Sequence, residues 1–246
     1  MKRFEDQVAL ITGASVGIGR ATAICMAEQG ANLVLVDING AGLAKVKDEL
    51  LSYGTRILCY EADVTDEKRA GEIVSEAEQI LGRIDILINN AALWRDRSLF
   101  LETETALWRR YLDINVMGTV YYTQAVLGGM VSRGYGRIVN VASVAGVYGN
   151  RKMVHYSATK GALISMSRAL AKEVAADGVT VNAVSPGTVS PSTQADMDYV
   201  QSSEANFTGR TGSDRENADL ICFLASREAG YINGQNIQID GCRRRL

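Results

Sequence analysis

The 246-residue sequence has few of the residues that build metal sites, disulfide frameworks or membrane spans. It has one histidine and four cysteines, and no two cysteines show the C-x-x-C spacing of zinc and redox sites. No run approaches the roughly 18 apolar residues of a transmembrane helix. Lys and Arg total 26 against 28 Asp and Glu, so there is no basic excess for binding phosphates. We therefore expect no metal, no membrane association and no nucleic-acid partner.

The first residues also lack the pattern of a secretion signal. The sequence becomes acidic at Glu5 and Asp6, where a signal peptide would become apolar. Together with the absence of a disulfide pattern, this predicts a cytoplasmic protein. Apolar residues make up 47% of the chain, which is enough for a folded core. The length suits one large α/β domain or two small ones.

Short apolar runs alternate with longer segments of helical periodicity along the whole chain. Apolar strands separated by helices are typical of a parallel sheet buried on both faces. We therefore predict one α/β domain over residues 1–246, a doubly wound seven-stranded parallel sheet with helices on both faces. The predicted strands are 8–12, 33–37, 57–60, 84–88, 137–141, 179–184 and 236–239, and the predicted helices are 19–29, 66–81, 41–51, 104–132, 156–176 and 214–226.

One long excursion interrupts this alternation. Residues 188–206 are polar and weakly periodic, and the only two prolines of the chain, Pro186 and Pro191, lie in or beside them. Long segments without regular structure are uncommon within compact domains and often serve as lids over active sites. We interpret residues 188–206 as a substrate lid, with a plain surface loop as the alternative.

A glycine-rich turn follows the first predicted strand. Residues 12–19 read T-G-A-S-V-G-I-G, with the spacing G-xxx-G-x-G. Glycine lets the backbone turn tightly and come close to a phosphate. The next helix then presents unpaired N–H groups and the positive end of its dipole to a pyrophosphate. The position of the turn predicts a dinucleotide site, although tight turns need glycine in any case.

Asp37 ends the second predicted strand. A carboxylate there can accept hydrogen bonds from a ribose diol and repel a 2′-phosphate. Neither Val16 nor Ile38 supplies a positive charge that could hold that phosphate. These residues favour NAD over NADP, whereas a solvated loop aspartate is the alternative interpretation of Asp37.

A tyrosine and a lysine stand four residues apart, at Tyr156 and Lys160, where one helical face would carry both. Tyrosine has an ordinary pKa of about 10 and is a poor base near neutral pH. A nearby ammonium, helped by a positive nicotinamide ring, would stabilise the phenolate, so Tyr156 could exchange a proton with a hydroxyl group. Ser143 follows the fifth strand, at the sheet edge where ligands bind, and could hydrogen-bond the substrate oxygen.

These features occur together in one family. The sequence resembles the short-chain dehydrogenases/reductases of the single-domain type over nearly its whole length. The resemblance implies a Rossmann-type fold, a nicotinamide cofactor and a homotetramer. Its motifs appear in order as the glycine turn at 12–19, Asp63-Val64, Asn89-Asn90-Ala91-Ala92, Asn115, Ser143, Tyr156 with Lys160, and Pro186-Gly187 followed by Val189.

The resemblance implies a role for each catalytic residue. Ser143 would orient and polarise the substrate oxygen, and Tyr156 would be the acid and base. Lys160 would lower the pKa of Tyr156 and hold the nicotinamide ribose. Asn115 would kink its helix and hold a water that links Lys160 to solvent. The implied cofactor-binding residues are Gly13, Ser15, Gly17, Ile18, Gly19, Asp37, Asp63, Val64, Asn90, Ala91, Tyr156, Lys160, Pro186, Gly187 and Val189.

Three positions depart from the family pattern. Ala92 replaces a glycine, which is harmless only if its φ angle is negative. Pro191 stands where many relatives have a threonine that contacts the cofactor, so we assign no cofactor contact there. Cys242 stands where a second glycine is common, and we interpret it as a small apolar filler.

Loops set the substrate, and three of them should border the pocket. The first holds Trp94 and residues 95–97, the second Tyr148 and residues 151–153, and the third is the lid. Two of these loops carry cations, and the tail at 243–245 has three arginines. In family tetramers that end often lies near a neighbouring active site. Guanidinium groups bind carboxylate or phosphate, so we favour an anionic hydroxyl substrate, with solvated or acid-paired side chains as the alternative.

Two classes of function follow from the sequence. The first is an NAD-dependent oxidoreductase that interconverts a secondary alcohol and a ketone by hydride transfer. A 3-oxoacyl-thioester reductase that uses NADPH is the alternative within that class, and Asp37 counts against it. The second class is a dinucleotide sensor without chemistry. The complete set Asn115, Ser143, Tyr156 and Lys160 favours the enzyme, since a sensor does not need all four.

Overall fold

The computed structural model describes residues 2–189 and 206–244. They form one seven-stranded sheet with helices packed on both faces. The strands are β1 (Val8–Thr12), β2 (Asn32–Asp37), β3 (Ile57–Glu61), β4 (Ile86–Asn89), β5 (Gly136–Val141), β6 (Val179–Pro186) and β7 (Asn236–Ile239). The helices are α1 (Gly17–Glu28), α2 (Gly40–Leu50), α3 (Glu67–Leu81), α4 (Thr105–Leu112), α5 (Gly118–Ser132), α6 (Ala145–Tyr148), α7 (Val154–Val174) and α8 (Asp214–Ala225).

All neighbouring strands pair in parallel, in the order β3-β2-β1-β4-β5-β6-β7. Side chains alternate between the faces of a strand, and both faces of β1 are buried. Ala9 and Ile11 pack into one apolar core, while Val8 and Leu10 pack into the core on the other face. The predicted doubly wound parallel sheet is therefore confirmed, and its continuous apolar strands follow from burial on both faces.

Local signals explain several of the helix ends. Asp66 accepts a hydrogen bond from the backbone of Arg69 and so caps α3, which ends at Gly82 in the left-handed conformation. Ser213 and Glu216 form a reciprocal capping box at the start of α8. These ends agree with the predictions, because each depends on residues adjacent in sequence.

The predicted helix over 104–132 is interrupted. Residues Asp113–Met117 form a turn of π-helix between α4 and α5, with Asn115 buried at its centre. Such turns insert one extra residue and often mark functional sites. The short helix α6 was also not predicted, since four residues carry too little periodicity to be recognised.

The carboxyl ends of β1 and β4 lie side by side, and the chain leaves them in opposite directions across the sheet. Ligands of open α/β sheets bind in the crevice at such a switch point. No helix among the described residues combines the length and apolar character needed to cross a membrane. Of the predicted lid, residues 190–205 lie outside the described part of the chain.

Candidate active site

A large cleft opens at the carboxyl ends of the strands. Its volume is about 2020 Å³, well above the 300–1,000 Å³ of ordinary ligand pockets, so it can hold a dinucleotide together with a substrate. Its wall includes fifteen of the seventeen described residues that the sequence assigned to cofactor and catalysis. The two exceptions are Gly19 and Asn115, which lie behind the wall.

The glycine turn has the backbone geometry that its composition predicts. Gly13 and Gly17 have φ angles of +65° and +57°, in the left-handed region that favours glycine. A Cβ at Gly13 would lie 2.8 Å from the Cα of Ala91, whereas Gly17 faces open space, with only Asp214 at 3.8 Å. The turn thus lies directly against the loop after β4 on one side and leaves room for a ligand on the other.

Gly19 serves the packing of this turn and does not line the cleft. A Cβ at Gly19 would clash with the carbonyl oxygen of Gly13, so only glycine lets α1 approach the turn this closely. The assignment of Gly19 as a cofactor-binding residue stays a prediction. Its packing helps to set the position of the helix N-terminus.

The N-terminus of α1 faces the cleft without a side-chain cap. Val16 provides no capping hydrogen bond, and the first turn of α1 has no acidic residue. Unpaired N–H groups and the positive dipole end therefore remain available to a pyrophosphate, and this part of the site fits a dinucleotide. Asp214 is a further residue of the cleft wall that no sequence motif indicates. It lies opposite Gly17, and burial raises the pKa of its carboxyl group.

Asp37 lies at the end of β2, where it is buried and lines the cleft. One carboxylate oxygen accepts a hydrogen bond from the backbone N–H of Ser15 at 2.9 Å, and the other accepts one from Asn39 at 2.9 Å. These bonds hold the carboxylate in place while leaving lone pairs for a ligand. Because the backbone N–H of Ser15 donates to Asp37, Ser15 supports the glycine turn.

The asparagines after β4 support the glycine turn. Asn90 donates from its amide to the carbonyl oxygens of Thr12 and Gly13, at 3.0 and 2.9 Å. The Thr12 hydroxyl accepts from the backbone of Asn90 and of Ala91, each at 3.1 Å. Ala92 is not among the described non-glycine residues with positive φ, so it adds no strain.

Two further predicted segments complete the cofactor side of the cleft. Asp63 accepts hydrogen bonds from the backbone and the hydroxyl of Thr65, and Val64 stands beside it on the wall. At the end of β6, Gly187 packs against Asp240, where a Cβ would lie 2.9 Å from the Cα. Pro186 and Val189 also line the cleft, while Pro191 lies outside the described residues.

Ser143, Tyr156 and Lys160 come together on the cleft wall, although they reach it from two different elements. Ser143 follows β5, and the other two lie on the first turns of α7. Burial raises the pKa of Tyr156, and a hydrogen bond with Ser143 opposes that increase. This arrangement places a partly buried phenol beside a hydroxyl, as proton exchange with a substrate oxygen requires.

Lys160 is buried, and its ammonium lies 5.9 Å from the centre of the Tyr156 ring. Its Nζ donates a hydrogen bond to the carbonyl oxygen of Val141 at 2.7 Å, and burial lowers the pKa of Lys160 to about 7. The hydrogen bond fixes the amine at the end of β5, in the same part of the cleft as the phenol. The effect of Lys160 on the pKa of Tyr156 stays a prediction.

Asn115 joins three parts of the site from behind. Its amide oxygen accepts from the backbone N–H of Leu93 at 2.7 Å, and its amide nitrogen donates to Leu93 O and to Thr159 Oγ1 at 3.0 and 3.1 Å. The π-turn supplies the kink that the resemblance implied. The side chain links the loop after β4 to α7, and the proposed water stays a prediction.

The three cationic segments meet at the mouth of the cleft. Arg95, Arg97, Arg151, Lys152 and Arg243 all line it. The backbone N–H of Ser98 donates to Lys152 O at 3.0 Å, which ties the first segment to the second. Arg243 donates to Asn150 Oδ1 at 3.1 Å and ties the tail to both.

The position of the tail bears on two expectations. Arg243 and Arg244 lie at the cleft of their own chain, and a place near the cleft of a neighbouring subunit stays a prediction. Cys242 is exposed and has a φ angle of +59°, so it is not a buried filler. It holds the left-handed conformation that a glycine would adopt there more readily.

Trp94 and Tyr148 line the same mouth, as predicted. The other arginines at the mouth, Arg109 and Arg110, belong to α4 and were missed, because their helical spacing looked like that of an ordinary solvated face. Among the described residues, Arg95, Arg97, Arg151 and Lys152 make no ion pair with an acidic side chain. The structure therefore does not support the alternative that acidic neighbours neutralise them.

Fold and site together define a dinucleotide-binding oxidoreductase. The family model described as short chain dehydrogenase matches residues 7–202, so the chain belongs to that family. It is 38% identical to a 3-oxoacyl-[acyl-carrier-protein] reductase, FabG, of Thermotoga maritima, over 97% of this chain and 98% of the relative.

Two other proteins bear on substrate and cofactor. The chain is 36% identical to the (2S)-[(R)-hydroxy(phenyl)methyl]succinyl-CoA dehydrogenase subunit BbsD of Thauera aromatica, over 97% of both chains. Among solved structures, an NAD⁺-bound xylitol dehydrogenase is similar with a TM-score of 0.91 and 31% identity, over 98% of this chain and 100% of that chain. The likeness therefore extends over nearly the full length in each case.

Proposed function

We propose that this protein interconverts 3-oxoacyl and 3-hydroxyacyl thioesters with NAD(H). The observation that carries the proposal is the meeting of three cationic segments at the mouth of a cleft that holds Ser143, Tyr156 and Lys160. Thioesters of coenzyme A or of an acyl carrier bear phosphate, which guanidinium groups bind well. The names of the relatives FabG and BbsD support this substrate class over other alcohols and ketones.

The residues divide the chemistry between them. A bound nicotinamide dinucleotide supplies or accepts the hydride. Ser143 donates a hydrogen bond to the keto oxygen and so polarises the carbonyl. Tyr156 gives its phenolic proton to that oxygen during reduction and takes it back during oxidation. Lys160 holds a positive charge near the phenol and shifts its pKa toward neutrality when it is protonated.

The cofactor preference rests on Asp37. Its carboxylate is held by two backbone N–H groups at the end of β2, where a 2′-phosphate would meet its negative charge. Neither neighbouring cleft residue, Val16 or Ile38, offers a compensating cation. These features support NAD(H), and not NADPH, as the cofactor of a thioester reductase.

A second candidate is an NAD-dependent dehydrogenase of alcohols that carry no acyl carrier. The specific observation in its favour is the similarity to the NAD⁺-bound xylitol dehydrogenase, together with Asp37. Trp94 and Tyr148 at the mouth of the cleft could contact the body of such a substrate. This candidate gives no role to the arginines at the mouth.

One assay separates the two candidates. The purified protein is given acetoacetyl-CoA with NADH or NADPH, and xylitol, cyclic alcohols and simple secondary alcohols with NAD⁺, while the absorbance of reduced nicotinamide is followed. We expect the largest kcat/KM for acetoacetyl-CoA with NADH. A larger kcat/KM for an uncharged alcohol would favour the second candidate, and no turnover of the thioester would refute the first.

A further inference from the structure

The loop after β4 carries an acid between two arginines, and the acid pairs with neither. Arg95 and Arg97 are exposed and line the mouth of the cleft, whereas Asp96 between them is only partly exposed. Asp96 Oδ2 accepts a hydrogen bond from the hydroxyl of Tyr111 at 3.0 Å. The same hydroxyl accepts from the backbone N–H of Asp96 at 3.1 Å. One buried phenol thus holds both the side chain and the backbone of the loop at this residue.

Tyr111 is itself held firmly. It is fully buried on α4, and its ring packs edge-on against His155, with centres 4.3 Å apart. It also meets the ring of Tyr156 edge-on, at 6.4 Å. Burial raises the pKa of Tyr111, so its hydroxyl keeps its proton and can donate to the carboxylate. Neither ring nitrogen of His155 has a hydrogen-bond partner among the described residues, so His155 contributes to this cluster through packing.

We propose that Tyr111 and Asp96 are positioning residues that hold this loop so that Arg95 and Arg97 face the cleft as a subsite for the phosphate of the substrate's thioester carrier. The subsite rests on the proposed function, because it assigns those arginines to the charged end of that substrate. A second hydrogen bond of the loop, from Ser98 N to Lys152 O, places the subsite beside the cationic segment at residues 151–153.

The physical reason lies in where the Asp96 carboxylate points. A carboxylate next to two exposed guanidinium groups would pair with one of them and cancel part of the positive charge. The hydroxyl of Tyr111 removes that competitor by drawing the carboxylate inward. Without the hydroxyl, the carboxylate is released and the backbone of the loop loses an anchor, so phosphate binding weakens while Ser143 and Tyr156 keep their positions.

The test compares Tyr111→Phe with Tyr122→Phe. Tyr122 is also fully buried, but its hydroxyl has no hydrogen-bond partner in the described part of the chain, so its loss controls for removing a buried hydroxyl. Each variant is assayed with acetoacetyl-CoA and with the acetoacetyl thioester of N-acetylcysteamine, which lacks phosphate. We expect Tyr111→Phe to raise KM for acetoacetyl-CoA by roughly 5- to 30-fold with kcat within about twofold, as losing a hydrogen bond to a charged group allows.

The neutral thioester distinguishes positioning from a general structural defect. Its KM should change by less than about twofold in both variants, and Tyr122→Phe should leave both substrates unaffected. The increase in KM of the wild type with salt should become weaker in Tyr111→Phe. An equal change for the two thioesters, a selective loss of kcat, or no change in KM for acetoacetyl-CoA would overturn the proposal.

Two further measurements make the test sharper. The double variant Tyr111→Phe with Asp96→Ala should be no worse for acetoacetyl-CoA than the worse single variant, because both changes break the same contact. Additive losses would contradict a shared contact. Binding of coenzyme A itself, measured by calorimetry, separates this inference from the proposed function. If no thioester were turned over, the proposed function would fail, and equal affinity of wild type and Tyr111→Phe for coenzyme A would refute the positioning role.

Discussion

Tyr156 combines burial with access to the cleft, and this combination decides what it can do. Burial alone keeps the phenol protonated at neutral pH, because it raises the pKa of Tyr156. The hydrogen bond from Ser143 acts in the opposite direction, and we expect a protonated Lys160 to do the same. The residue is therefore suited to give a proton to a substrate oxygen and to recover it.

Tyr156→Phe should retain NAD binding and lose nearly all turnover. The ring still packs, but the proton-transfer group is gone, and such groups contribute about 10²–10⁴-fold. Steady-state kinetics and calorimetric NAD⁺ titration measure the two properties separately. Lys160→Ala should be similarly severe. If the phenylalanine variant kept more than a tenth of the wild-type kcat, the mechanism would be wrong.

Asp37→Ala should narrow the preference for NAD(H) over NADP(H). We expect the carboxylate to repel a 2′-phosphate in the wild type, and the variant removes that carboxylate together with its hydrogen bonds to Ser15 and Asn39. We expect kcat/KM with NADH to fall and the value with NADPH to rise or hold. Equal values for the two cofactors in the wild type would refute the role of Asp37.

Lys160→Met should stabilise the ligand-free protein in a pH-dependent way. The folded state lowers the pKa of Lys160 from 10.5 to about 7, so between these values the unfolded chain binds more protons. The stability of the wild type therefore rises with pH across this window. Below the window, the free-energy cost of burying the charged Lys160 is at its maximum. The variant should be more stable at pH 6, by on the order of 2–4 kcal/mol.

The advantage of Lys160→Met should shrink as the pH approaches about 10. Urea unfolding of variant and wild type at several pH values measures this difference in the free energy of unfolding. Lys68→Met is the matched control, since that side chain is 88% exposed and should show no such trend. An advantage that did not change with pH would show that packing, and not the charge of Lys160, causes it.

At the scale of elements, the loops after β4 and β5 and the tail form one charged rim. Each loop begins where a strand ends, so the order of the strands brings distant cations together. The hydrogen bonds from Ser98 to Lys152 and from Arg243 to Asn150 then hold the loops at a common mouth.

Arg95→Ala and Arg151→Ala should raise KM selectively for an anionic substrate. We expect the effect with acetoacetyl-CoA, growing smaller as salt screens the remaining charges, and little effect with the N-acetylcysteamine thioester. Lys68→Ala on α3 removes one charge from an exposed side chain and serves as the control for the loss of a surface charge. Parallel changes for both substrates, or no change, would leave these arginines as solvated side chains. Neither variant should alter folding, because exposed charges contribute little stability.

At the scale of the whole molecule, α7 presents a row of small side chains to solvent. Ala158, Ala162, Ser165 and Ala169 are exposed along one face, so they do not pack against the sheet of their own chain. Small residues at these positions suit packing against the sheet as well as contact with another subunit, and their exposure excludes the first arrangement. The family resemblance pairs this helix with α4–α5 across a two-fold axis, where small residues would allow close contact.

We predict a homotetramer. Light scattering at micromolar concentration should give a mass near 106 kDa, about four times the 26.6 kDa of one chain. Ala162→Arg should reduce the mass, because it places a long charged side chain on the exposed face of α7. Gly71→Arg on α3 has open space around it and should leave the mass unchanged. A wild-type mass near 27 kDa would contradict the prediction.

Much of the fold follows from the sequence alone, since the central strands bury both faces and several helices carry their own start or stop signals. Asp66 and Gly82 show this, because capping needs only residues close in sequence. The glycine turn, Asp37 and the pair Tyr156 and Lys160 were likewise recognised from local spacing. In each case short-range geometry determines what the residues can do.

The tertiary structure decided the contacts between distant segments. No local pattern shows that Gly19 packs against the turn, that Asn115 sits in a π-turn and binds Leu93, or that Asp96 bonds to Tyr111. Nor could the sequence place Arg243 at the cleft of its own chain. These contacts depend on the order of the strands and on how the loops fold back over the sheet, which only the assembled core determines.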